Sequence, residues 1–188
     1  MTRRACKLEA LLADGRREPF RYGDIWQRQA TADSDRLIIG ASERQVDLLL
    51  ELSRDTEGPF GILYVLLVSR CGNRPGRYQS PEPIDAGQLA DFLADYRDYF
   101  ENDGRHHVWI MSLSDSATLV YDNHDVVYAY GPLESYERTV TRLGLRNHQV
   151  RFPVPHTHCY NFEYDAEEER LFEQWRWLHF PLEEGDDR

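Results

Sequence analysis

The sequence predicts an α/β fold of α+β-like character: a mixed sheet with helices packed on it. A β-α-β unit at about 36–69 precedes an antiparallel meander at about 106–131. Three observations predict it. Residues 106–130 hold three short runs of β-branched and aromatic residues joined by polar turns. Phe60–Val68 is an almost continuous apolar run, as expected of a strand covered on both faces. Between 85 and 101, Leu89, Phe92, Leu93, Tyr96, Tyr99 and Phe100 fall on one helical stripe.

Taken in order, residues 5–30 give no clean period, and Asp14-Gly15 marks a turn. Leu37-Ile38-Ile39 reads as a short buried strand. Ser42, with Gln45 three residues on, has the capping-box pattern that opens a helix. Val46, Leu49 and Leu50 form its apolar face, and Gly58-Pro59 ends the element. The strands at 37–39 and 60–69 then run parallel. Residues 70–83 are rich in Gly and Pro and read as a long open loop.

Asp85 with Gln88 caps the helix over 85–101, and Gly104 stops it. In the meander a four-residue loop at 122–125 pairs Tyr121 with Val126, Val120 with Val127 and Leu119 with Tyr128. Both faces carry apolar residues, so helices or loops are expected to cover both. Pro132 suits a helix start, Leu133, Tyr136, Val140 and Leu143 form its stripe, and Gly144 suits its end. Residues 149–154 and 157–162 read as extended. Asp165, with Glu168 three on, opens a last helix whose Leu171, Trp175 and Leu178 face inward. Residues 1–188 read as one domain, with a frayed acidic tail at about 183–188.

Composition excludes several functions. The net charge of −11 argues against nucleic acid and anionic membranes, which need clustered Lys and Arg. Lys7 is the only lysine, which removes the phosphate-loop motif and an interior Schiff-base lysine. Cys6, Cys71 and Cys159 are scattered and read as reduced thiols of a cytoplasmic protein. Lys7 and Glu9 break any apolar signal core near the start, and no apolar run is long enough to span a bilayer.

Four constellations carry candidate chemistry. Cys71 and Arg77 have the C-x-x-x-x-x-R spacing after a buried strand, which resembles the phosphate-binding loop of cysteine-dependent phosphatases. The resemblance implies a low-pKa thiolate at Cys71 and an oxyanion clamp at Arg77, with Arg70 and Arg74 adding local positive charge. It covers seven residues, and Tyr78, Pro81 and Pro83 depart from the pattern, because a helix should follow. His156 and His158, two apart on a strand, point to one face and suit a shared metal. The third ligand is open among His124, Asp122, His148 and Cys159. Asp122-Asn123-His124-Asp125 reads as turn chemistry, and Trp177 lies off the inward stripe of the last helix, where it suits a contact surface.

The reading that follows is a non-catalytic cytoplasmic protein that binds another protein, a basic one by charge, with no cofactor. A bacterial immunity or antitoxin-like inhibitor is one concrete form. Its binding residues would be Arg70, Arg74, Arg77, Tyr78 and Trp177. Two enzymes stand beside it: a phosphate-ester hydrolase using Cys71 and Arg77, and a metal-dependent hydrolase using His156 and His158.

Overall fold

The computed structural model describes residues 5–32 and 34–186. The strands are β1 (Leu8–Leu11), β2 (Arg17–Pro19), β3 (Ile25–Gln29), β4 (Arg36–Gly40), β5 (Phe60–Leu66), β6 (Gly76–Gln79), β7 (His106–Ser112), β8 (Thr118–Tyr121), β9 (Val127–Tyr130), β10 (Arg146–Asn147), β11 (His156–His158) and β12 (Leu178–Phe180). The helices are α1 (Gln45–Ser53), α2 (Ala86–Asp95), α3 (Arg97–Asn102), α4 (Leu133–Arg142) and α5 (Asp165–Gln174). Nine strands form one mixed sheet in the order β10-β3-β4-β9-β8-β7-β5-β6-β12, and β11-β1-β2 form a second. Within the large sheet only β10 and β3 pair in parallel.

The predicted mixed sheet and its helical layer are present. β4 and β5 run in the same direction with α1 between them, and β9, β8 and β7 lie between the two strands. The meander is antiparallel as expected, but its register slips by one: Tyr121 faces Val127, Val120 faces Tyr128 and Leu119 faces Ala129. Asp125 is the cause. It adopts the left-handed conformation with φ 64°, and the Asp122 N–H bonds the Val126 carbonyl at 3.0 Å. The loop proper is therefore Asn123-His124-Asp125, a three-residue hairpin loop ending in a left-handed residue.

One face of the large sheet carries the core. Leu37, Ile39, Ile62, Tyr64, Val108, Ile110, Leu119, Tyr121 and Val127 meet Val46, Leu49, Phe92, Leu93, Phe100, Tyr136 and Val140 from the helices. α2 has the predicted reciprocal cap, the Asp85 side chain accepting from the Gln88 N–H. The expected single helix over 85–101 breaks at Tyr96 into α2 and α3. α1 lacks the expected box. Its flanking residue is Arg44 in the left-handed region, and the Glu101 carboxylate accepts from the Val46 N–H at 2.9 Å. A distant carboxylate thus replaces the local cap, and the Gln45 side chain turns to Asp125 at 2.9 Å.

Among the described residues, no helix packs on the opposite face. Tyr22, Ile38, Val126 and Val150 cluster at one end, and the rest is a groove. The loop expected over 70–83 contains β6, paired with β5 and β12. The tail expected to fray is docked as far as it is described. Asp186 is buried and accepts from Arg77 Nε at 2.9 Å and Nη2 at 2.8 Å, with Glu183 on Arg77 Nη1 at 2.7 Å. The last two residues of that tail lie outside the described residues.

Arg105 ties α5 to the sheet. Its fully buried guanidinium meets Asp103 at 2.8 Å, Glu168 at 2.6 Å and Asp165 at 3.1 Å, and donates to the Asn161 carbonyl at 2.8 Å. Glu168, expected in a cap, is spent here. No described helix is long and apolar enough to cross a membrane.

Candidate functional site

The β8–β9 hairpin loop meets the edge strand β11, and three histidines converge there: His124, His156 and His158. His156 and His158 share a face because side chains alternate along a strand. β11 is placed by its pairing with β1, whose Leu8 is buried opposite His158. His124 is delivered by the left-handed turn at Asp125. One ligand atom from each imidazole lies within 4.8 Å of the others, and the ring centroids are 4.9–5.3 Å apart.

The Nδ1 atoms are all engaged. His156 Nδ1 lies 2.7 Å from the Pro153 carbonyl, and His158 Nδ1 lies 3.0 Å from the Asn123 carbonyl. His124 Nδ1 lies 3.2 Å from Asp122 Oδ2. A carbonyl oxygen only accepts, so Nδ1 of His156 and of His158 carries the proton and Nε2 is the lone-pair nitrogen; in His158 that Nε2 accepts from Asn123 Nδ2 at 3.4 Å, a contact a metal would displace. A ring N–H given to a carboxylate or carbonyl is also how metal-binding histidines are oriented. Asp122 is itself fixed, because Oδ1 accepts from the N–H groups of His124 at 3.0 Å and Val126 at 3.1 Å. Burial pushes the Asp122 carboxyl up, yet the His124 bond, the neighbouring imidazoles and the Val126 N–H hold it below the usual range. Burial, then the neighbouring His124, lowers His158 to about 4, so its imidazole is neutral at neutral pH.

These side chains fit a transition-metal ion. Three imidazoles with a carboxylate behind one of them suit zinc, and a three-ligand set leaves a fourth position open. Nitrogens bound at about 2.0–2.1 Å sit roughly 3.4 Å apart, so small side-chain rotations close the triangle. His148 and Cys159 are not in this set. Cys159 faces Cys6, Sγ to Sγ 3.1 Å, in a second grouping with the buried Glu9.

Cys71 and Arg77 are not brought together as a phosphate loop. The Ser69 hydroxyl accepts from the N–H groups of Cys71 and Asn73, each at 3.0 Å, so these donors do not converge on an anion site. Burial, then Glu168 and Asp165, pushes the Cys71 thiol up, opposite to a nucleophile's need. Arg77, expected as an oxyanion clamp or a binding residue, is bound by Asp186 and Glu183. Arg70 pairs with Asp165 at 3.0 Å, and Arg74 is exposed. Tyr78 is buried against Phe172. Trp177 lies beyond the end of α5, packs on the core, and donates to the Leu171 carbonyl at 2.9 Å. Leu178 is exposed in β12 rather than inward on a helix.

Lys7 also departs from expectation. The sole lysine is interior, 2 % exposed, with Nζ donating to the Phe100 carbonyl at 2.8 Å and lying over the Tyr121 ring. Burial lowers it to about 8.

Sequence reasoning had His156 and His158 and left His124 among four possibilities. The Asp-x-His spacing at 122–124 was the available signal, masked because Asp and Asn also make ordinary turns. No protein-family model, curated protein or solved structure matches the chain.

Proposed function

We propose that the protein is a metal-dependent hydrolase whose centre is a zinc ion held by His124, His156 and His158. The observation that carries this reading is the convergence of three imidazoles whose Nδ1 atoms are all taken by oxygen acceptors. Bound zinc would supply a Lewis acid and a water ionising near neutral pH, at about 7 in such sites. The chain's own residues would do the rest. Asp122 keeps the His124 ring oriented, and Phe152, its ring 5.0 Å from that of His124, gives the centre an apolar rim. The class of substrate this chemistry suits is an ester or amide carbonyl, or a phosphoryl group.

The test is zinc titration of the full chain by calorimetry, with hydrolysis of a generic aryl ester measured on the same samples. One zinc per chain, and turnover lost on chelation and in His158→Ala, is expected. Asp122→Asn is expected to weaken zinc about 10–100-fold. Failure to bind zinc below about 100 μM, or turnover indifferent to both chelation and His158→Ala, would overturn the reading.

A second reading keeps the protein as a cytoplasmic binder of a basic protein. Its support is the charge of −11, with Val154 85 % and Phe162 74 % exposed. Pull-down with a basic partner that survives His158→Ala, from a chain without zinc-dependent turnover, would favour it.

A further inference from the structure

The helix-free face of the large sheet holds a cavity of about 550 Å³, within the size range of small-molecule sites. Its floor follows from register. Trp109, Val120 and Tyr128 lie in one row across β7, β8 and β9. Two aromatic side chains thus flank the smaller Val120, 8 % exposed at the groove floor, on strands about 9.6 Å apart.

Arg36 closes one end. Its guanidinium lies 4.3 Å from the Tyr128 ring centroid. Nε donates to Gln29 Oε1 at 2.8 Å and Nη1 to the Tyr130 hydroxyl at 2.7 Å. Two of five N–H donors are used, and three remain on a group held rigidly by its neighbours. No carboxylate of the described residues is in ion-pair contact with Arg36.

The carboxylates at the other end are committed. Asp186 is taken by Arg77, and Asp122 by His124 and Val126. Among the described residues, the positive charge left without a carboxylate partner in the groove is therefore that of Arg36. The wall carries two further buried atoms without a hydrogen-bond partner, His107 Nε2 and Trp109 Nε1. His107 is 5 % exposed. Buried polar atoms of this kind are ordinarily satisfied, by protein, water or ligand.

We propose that this groove binds a small planar aryl carboxylate. The ring lies between Trp109 and Tyr128, and the carboxylate accepts from the open edge of Arg36. The groove meets the histidine centre only at Asp122, which lines it, and the proposal does not rest on the metal reading, since none of the three histidines lines the groove.

The test is calorimetry of the full chain with naphthoate, its uncharged amide, and cyclohexane carboxylate, which keeps the charge and loses the flat ring. Naphthoate is expected to bind at least about tenfold more tightly than either control. Arg36→Met is expected to reduce naphthoate to the level of the amide, with the fold checked by circular dichroism. Thr118→Phe, on the groove lining, is expected to block binding. Equal affinity for the acid and the amide in the unaltered protein overturns the proposal without any variant. So does undiminished naphthoate binding to Arg36→Met, or no binding up to about 10 mM.

Discussion

Removing Arg105 is the most severe single change the structure predicts away from the site. The side chain is fully buried and makes contacts of 2.6–3.1 Å to Asp103, Glu168, Asp165 and the Asn161 carbonyl. Arg105→Met keeps the bulk and removes the charge. Asp103 and Glu168, both with fully buried side chains, then face each other's field without a cation. Breaking a buried pair from one side costs about 3–5 kcal/mol, because the remaining charge stays desolvated. For a chain of this size that is roughly 6–20 °C of melting temperature. Burial already raises the Asp103 carboxyl, with the Arg105 hydrogen bond opposing it. Without Arg105 the Asp103 carboxyl rises further. The folded variant then binds protons that the unfolded chain does not, so its deficit shrinks as pH falls from neutral towards 5. Urea denaturation at both pH values, followed by tryptophan fluorescence and circular dichroism, reads the effect. A loss below about 1 kcal/mol at pH 7, or a deficit that grows on acidification, would refute the reasoning.

Leu93→Ala is expected to cost about 2–5 kcal/mol by chemical denaturation, because the side chain is fully enclosed under the sheet. Tyr128→Ala, whose half-buried ring lines the groove and packs on the Tyr22–Ile38 cluster, is expected to cost about 1 kcal/mol. Alkylation of Cys71 is expected to have its midpoint above that of an ordinary free thiol, and a midpoint below the free-thiol value would contradict the burial and the carboxylates around it. Cys6 and Cys159, sulfurs 3.1 Å apart, are expected to form a disulfide with release of two thiols when treated with a small disulfide. A mass unchanged under those conditions would contradict their placement.

Local rules carried much of the fold. The stripe from Leu89 to Phe100 and the Asp85–Gln88 box are properties of adjacent turns, and both are present. The meander was legible from alternation, yet its register was not. A left-handed Asp125 shortens the loop by one residue, and sequence does not fix which Asp or Asn of a polar turn adopts that conformation. The cap of α1 failed because Glu101, from another helix, outcompeted Ser42. The docked tail failed for a similar reason, since Arg77 meets Asp186 across a long stretch of chain. The site divides along the same line. His156 and His158 share a strand and were visible as a pair. His124 joins them only once the hairpin loop is folded against the edge strand, a contact no local pattern encodes.

The identity of the atoms around bound zinc tests the central claim most directly. X-ray absorption at the zinc edge, on the full chain loaded with one equivalent, reads them. Three imidazole nitrogens at about 2.0–2.1 Å, completed by oxygen, are predicted, with the imidazole scattering reduced in His124→Ala. Sulfur at about 2.3 Å would place the metal on Cys6 and Cys159 instead, and would contradict the histidine centre.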